Sequence, residues 1–172
     1  MKKLFFIPIF KVLFIGLGRM GFHMSSHISK NKKIDLYVYN RTEAIEKKWL
    51  KLNSGTIYHF NSNIKFDFIV TCVKDDKALN LVTKKILKEG CHKKSTIYID
   101  HSTISLDQVY KINNLVVTNK FYFLDAPVTG GVEGAKNRSL STMVGGNLTR
   151  LKRSKFLLLA YCKNITHMGK TG

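Results

Sequence analysis

Acidic residues are scarce in this sequence: 11 Asp and Glu stand against 29 Lys and Arg, for a net charge of +18 over 172 residues. So basic a chain raises nucleic acid or another anionic surface as a partner. What is missing is any long block of cations. The lysines come in small groups, Lys32–Lys33, Lys47–Lys48, Lys84–Lys85 and Lys93–Lys94, spread along the chain. Several fall where helices would face water. The excess reads as compositional drift, and nucleic acid is not expected as a partner.

Long apolar runs are also absent, and with them any segment able to span a bilayer, so no membrane partner is expected. The N-terminal MKKLFFIPIF places two lysines before an apolar stretch, but Lys11 interrupts it. A signal peptide needs a longer apolar region and a small-residue cleavage site, so residues 1–10 are read as an extension. Cys72, Cys91 and Cys162 are odd in number and far apart. They fit neither a disulfide framework nor a zinc ligand set, and reduced thiols and a cytoplasmic location follow. No histidine pair has HExxH spacing, and no metal is expected. Neither a repeat nor a low-complexity linker divides the chain. With 44% hydrophobic residues, residues 11–172 suffice for one domain with its own core.

What is present is an alternation of short apolar runs with helical periodicity. Val12–Ile15 suits a fully buried strand. Met20, Met24 and Ile28 then recur on one helix face. Leu36–Tyr39 reads as a second strand. Thr42 can cap the next helix, with Ile45, Trp49 and Leu52 on its buried side. Phe66–Val70 is a strand candidate. Asp75 and Asp76 open a helix carrying Leu79, Val82 and Ile86, which stops before Gly90. Thr96–Ile99 is the next strand, and Ser105 with Gln108 has capping-box spacing for a helix to about Asn113. Phe121–Leu124 and Thr142–Val144 are later strands, separated by a Gly-rich turn region. This order predicts a doubly wound α/β domain with a mostly parallel sheet, of the Rossmann dinucleotide-binding type.

The sharpest motif is Gly16-Leu17-Gly18-Arg19-Met20-Gly21, directly after a buried strand and opening a helix. Gly16 permits a tight turn, Gly18 lets the backbone approach a pyrophosphate, and Gly21 lets helix pack closely on strand. The free N–H groups of the helix N-terminus then hold the anion. Arg19 can reach a phosphate or point into water, and the sequence leaves both open. The second strand ends in Asn40-Arg41-Thr42, where an NAD-selective site carries Asp or Glu for the ribose. Arg41 can instead pair with a 2′-phosphate through a charge-assisted fork, and Thr42 adds a hydroxyl. NADP(H) is therefore expected in preference to NAD(H). The bland alternative makes Arg41 one more solvated cation.

Phe14 to Ile28 as a whole resembles the N-terminal signature of the 3-hydroxyisobutyrate dehydrogenase family, a group of β-hydroxyacid dehydrogenases more distantly related to 6-phosphogluconate dehydrogenase. Two later segments agree in order. Asp100-His-Ser-Thr-Ile-Ser105 looks like the family's D-x-S-T segment. Asp125-Ala-Pro-Val-Thr-Gly-Gly-Val-Glu-Gly-Ala135 looks like its substrate-binding segment, and Met143-Val-Gly-Gly146 fits as well. The resemblance implies hydride transfer between a short 3-hydroxyacid and its semialdehyde. It implies that Val73 and Thr103 approach the nicotinamide half of the cofactor, with Ser102 beside them in reach of substrate. It matches Val128, Thr129, Gly130 and Gly131 to the loop that receives the carboxylate of a small substrate. His101 falls at a variable position and is expected to be noncatalytic.

The family's general acid–base is a lysine in a GxxGxGxxxK segment, of which Gly169 and Gly172 match the start. Lys170 lies between those glycines and is not that lysine, which is expected beyond Gly172, with a helical domain that dimerises the family's members. No catalytic residue is therefore expected within the 172 residues. The rival expectations are a noncatalytic NADP(H)-binding remnant and a basic nucleic-acid-binding protein on a similar fold. Two further departures are Lys74, where a proline is usual, and Arg138, where a glycine is usual and a left-handed backbone would cost Arg roughly 1 kcal/mol. Another turn shape is expected at Arg138.

Overall fold

A computed structural model describes residues 9–172. The extension expected over residues 1–10 thus lies mostly outside the described residues. Phe10, placed in that extension, is instead the first residue of β1 (Phe10–Ile15). Its ring packs on Phe68 and Phe156, so apolar contact draws it into the domain.

The remaining elements follow as α1 (Gly21–Ile28), β2 (Ile34–Tyr39), α2 (Glu43–Leu50), β3 (Thr56–Ile57), β4 (Phe66–Thr71), α3 (Asp76–Glu89), β5 (His92–Asp100), α4 (Leu106–Thr118), β6 (Tyr122–Asp125), β7 (Val128–Thr129), α5 (Gly131–Asn137), β8 (Leu140–Gly146), α6 (Leu148–Leu158) and β9 (Cys162–Gly169). The strands form one sheet in the order β3-β2-β1-β4-β5-β6-β8-β7, with β9 beside β8. From β3 to β6 every pairing is parallel; β8 runs antiparallel to β6 and β7. This is the doubly wound, mostly parallel α/β fold that the alternation predicts.

Central strands read as continuous apolar runs because both faces are covered. Val12, Phe14, Phe68, Val70, Ile97 and Ile99 face one core, with Met24, Ile28 and Trp49 from the helices. Leu13, Ile15, Ile69 and Tyr98 face the other, with Leu79, Ile86 and Ile112. The strand order turns back between β1 and β4, which opens a crevice at their carboxyl ends.

Several local expectations are corrected. Thr42 occupies the N-cap position of α2 but makes no side-chain cap. Leu52 is 69% exposed because α2 ends at Leu50, before the periodicity can bring it inward. α4 runs on to Thr118, burying Val116 in its last turn. Arg138 does adopt the left-handed conformation, at φ 59. Its Nε donates to the Ala160 carbonyl at 2.9 Å, which helps offset the backbone cost.

Candidate active site

The loop after β1 is built by close contact. Gly16 has φ +102, and a Cβ there would run into the Cys72 carbonyl; a Cβ on Gly21 would run into the Gly16 carbonyl. Gly18 differs: nothing lies within 4 Å of where its Cβ would be. Two glycines let the chain pack on itself, and the third leaves open space over the start of α1. That cradle fits an anion such as a pyrophosphate.

The loop is tied to the end of β2. Asn40 Oδ1 accepts the Leu17 N–H at 3.0 Å, and the Asn40 N–H donates to Glu46 Oε1 at 2.6 Å. Glu46 is only 5% exposed. A buried carboxylate on α2 therefore holds the backbone of the residue whose side chain holds the glycine loop. Periodicity did not single out Glu46, because a glutamate among charged helix residues reads as solvated.

Gly16, Gly18, Asn40, Arg41, Thr42 and Val73, all expected at a cofactor site, line one crevice of about 380 Å³. Leu17 is buried beneath it, Gly21 closes helix on strand, Met20 is half-buried and Arg19 is exposed, none of them on its wall. The crevice adds residues that the motifs did not indicate, among them Tyr39, Phe60, Ala78, Leu81 and Lys85. Lys85 Nζ lies 4.1 Å from the Phe60 ring centroid and donates to the Tyr39 hydroxyl at 3.3 Å. Phe60 sits in an aperiodic loop and Lys85 on an exposed helix face, so neither carried a sequence signal.

Beyond β4 and β5 lies a second group. Thr103 is exposed and outside the crevice wall. Ser102 is 4% exposed; its Oγ donates to Asp100 Oδ1 at 2.7 Å and accepts the Val73 N–H at 3.0 Å. Burial pushes the Asp100 carboxyl up to about 7, against the hydrogen bonds from Thr71 and Ser102 that hold it down. His101 is 3% exposed, with Nδ1 on the Ala126 carbonyl at 2.6 Å and Nε2 on the Tyr161 hydroxyl at 2.7 Å. Burial lowers its pKa to about 4. Both ring nitrogens are engaged inside the protein, as suits a structural histidine.

Val128 and Thr129 form the short β7, and Gly130 and Gly131 follow with φ 120 and 61. These four stand apart from the crevice wall. They are linked to the β5 end, since the Ala126 N–H donates to the Asp100 carbonyl at 2.7 Å. Among the described residues, no helix is long and apolar enough to cross a membrane.

The family described as the NAD binding domain of 6-phosphogluconate dehydrogenase matches residues 11–169. The chain is 32% identical to the mitochondrial 3-hydroxyisobutyrate dehydrogenase of Drosophila melanogaster, over 92% of this chain and 49% of that protein. It is 38% identical to a probable 3-hydroxyisobutyrate dehydrogenase of Mycobacterium bovis, over 94% of this chain and 54% of the relative. The chain thus spans about half the length of these curated relatives. Mycobacterium tuberculosis 3-hydroxyisobutyrate dehydrogenase, solved with L-serine, superposes with a TM-score of 0.87 at 24% identity, over 95% of this chain and 55% of that one.

Proposed function

The chain belongs to the family of NAD-binding domains represented by 6-phosphogluconate dehydrogenase, and from that premise we propose that it binds NADP(H) in preference to NAD(H), as the cofactor-binding part of an oxidoreductase acting on a short 3-hydroxyacid or its semialdehyde. The observation that carries this reading is the meeting of the glycine loop with Asn40, Arg41 and Thr42 around one crevice. The N–H groups at the start of α1 take the pyrophosphate. Arg41 forks onto the 2′-phosphate and Thr42 adds a hydroxyl. The Glu46 carboxylate is buried against the Asn40 N–H and does not oppose that phosphate from the crevice wall.

Parallel topology runs the dinucleotide from the β2 end across β1 toward the ends of β4 and β5. Val73 and Thr103 then border the nicotinamide half, with Ser102 beneath them. When bound, the nicotinamide ring supplies or accepts the hydride. Thr129, Gly130 and Gly131 receive the substrate carboxylate, Val128 leads into that turn, and the glycines expose N–H groups to the anion. His101 is assigned no proton transfer, because both of its nitrogens are engaged.

Fluorescence titration with NADPH and NADH tests the reading. NADPH is expected to bind the tighter, and Arg41→Ala to weaken NADPH by about tenfold or more, the equivalent of roughly 1.4 kcal/mol, with little change for NADH. Equal affinity of the natural chain for the two cofactors overturns the NADP(H) preference, and binding of neither overturns the whole reading.

A further inference from the structure

The carboxylate of Asp100 is a costly feature for the end of a central strand, since a buried charge is unfavourable unless its environment compensates. It is 1% exposed and touches no solvent-lined wall. Its Oδ1 accepts three hydrogen bonds, from Thr71 Oγ1 at 2.5 Å, Ser102 Oγ at 2.7 Å and the Ser102 N–H at 3.3 Å. Thr71 is the last residue of β4. Ser102 stands two residues past the end of β5, and its Oγ goes on to accept the Val73 N–H at 3.0 Å. One oxygen therefore ties two strand ends together and, through one hydroxyl, fixes the turn that follows β4.

We propose that Asp100 is a positioning residue: acting through Ser102, it sets the Cys72–Lys74 turn so that Val73 meets the nicotinamide half of the cofactor. The proposal rests on the dinucleotide reading above. Both strands pair in register up to Thr71 and Asp100, and the His101 N–H donates to the Thr71 carbonyl at 2.8 Å. The backbone ladder alone brings the two strand ends together. On the other side the Cys72 N–H donates to the Ile15 carbonyl of β1 at 3.0 Å. What the backbone leaves undetermined is the direction of the chain past Cys72, where Val73 and Lys74 line the crevice. The Val73 N–H lies beyond the ladder, and Ser102 Oγ is its acceptor.

The adenosine half lies across β1, so the two ends of the cofactor report separately. Affinities for NADPH and for 2′,5′-ADP, which lacks the nicotinamide half, are measured for the natural chain, Ser102→Ala, Asp100→Ala and Asp100→Asn. Ser102→Ala removes the hydroxyl that joins Asp100 to the Val73 N–H but leaves Asp100 bonded to Thr71 Oγ1 and the Ser102 N–H, so it serves if Asp100→Ala fails to fold. Expected is a loss of about tenfold for NADPH with 2′,5′-ADP unchanged, and partial retention in Asp100→Asn, which keeps an acceptor oxygen. Unchanged NADPH binding in Ser102→Ala overturns the proposal. So does an equal loss of both ligands, which marks a general role in folding. A natural chain that binds neither ligand defeats the dinucleotide reading itself, a result separable from the other two.

Discussion

The Oδ1 atom of Asn40 accepts the backbone N–H of Leu17 at 3.0 Å, so the residue that follows the second strand also anchors the glycine loop that follows the first. Its own N–H is held in turn by the buried Glu46. Asn40 therefore has two jobs on the proposed reading, loop geometry and the absence of charge beside a 2′-phosphate, and substitutions separate them.

Asn40→Leu removes the acceptor at similar size. Both NADPH and NADH are expected to weaken together, by about 1–2 kcal/mol, since a loop N–H loses its partner. Asn40→Asp keeps an acceptor but adds a negative charge. NADPH is expected to weaken by about 1 kcal/mol or more while NADH holds or improves. Parallel titrations of the two cofactors check both outcomes; an Asn40→Asp variant that weakens NADH as much as NADPH contradicts them.

The three loop glycines are expected to fail differently when each is changed to alanine. Gly16→Ala meets the Cys72 carbonyl and a left-handed backbone, and Gly21→Ala meets the Gly16 carbonyl. Each should lower stability by about 1–3 kcal/mol, read as a fall in the thermal midpoint. Gly18→Ala meets no protein atom. It should fold normally yet lose cofactor affinity, because the methyl group occupies the space proposed for the pyrophosphate. Normal binding by Gly18→Ala would remove the pyrophosphate from that position.

Asp100 and His101, adjacent in sequence and both buried, are expected to push stability in opposite directions with pH. Burial raises the Asp100 carboxyl from 3.8 to about 7, so between those values the folded chain binds the extra proton and stability falls as pH rises. Burial lowers His101 from 6.5 to about 4, so in that window the unfolded chain binds the extra proton and stability rises with pH. In thermal unfolding from about pH 4 to about pH 7, Asp100→Asn should gain on the natural chain as pH rises. His101→Gln should lose ground. Parallel curves for all three proteins would mean that neither group titrates differently on folding.

Much of the fold was legible because its signals are local. Val12–Ile15, Phe66–Val70 and Thr96–Ile99 are apolar without alternation, and strands buried on both faces require that. Asp75 and Ser105 cap their helices through their own side chains, accepting the Ala78 and Gln108 N–H groups. The C-terminal third was harder to read. α5 is seven residues long and rich in glycine, and α6 carries Arg150, Lys152, Arg153 and Lys155 among its leucines. β9 is largely exposed along its length and owes its extended form to pairing with β8, a partner about twenty residues away that no window of sequence reveals.

By itself the sequence determined the alternation of strands and helices, the glycine loop between β1 and α1, and the Asn40-Arg41-Thr42 turn, since periodicity, backbone freedom and charge belong to residues close together in the chain. Only the tertiary structure decided that Glu46 holds Asn40 and that Phe60 and Lys85 join the crevice. It alone decided that Asp100 reaches Val73 through Ser102. Glu46 is only 6 residues from Asn40, and that contact depends on how α2 folds back over the end of β2. The others depend on which strand ends lie side by side, and parallel pairing across crossover helices brings together residues that are 29 apart in sequence for Val73 and Ser102 and 23 apart for Leu17 and Asn40.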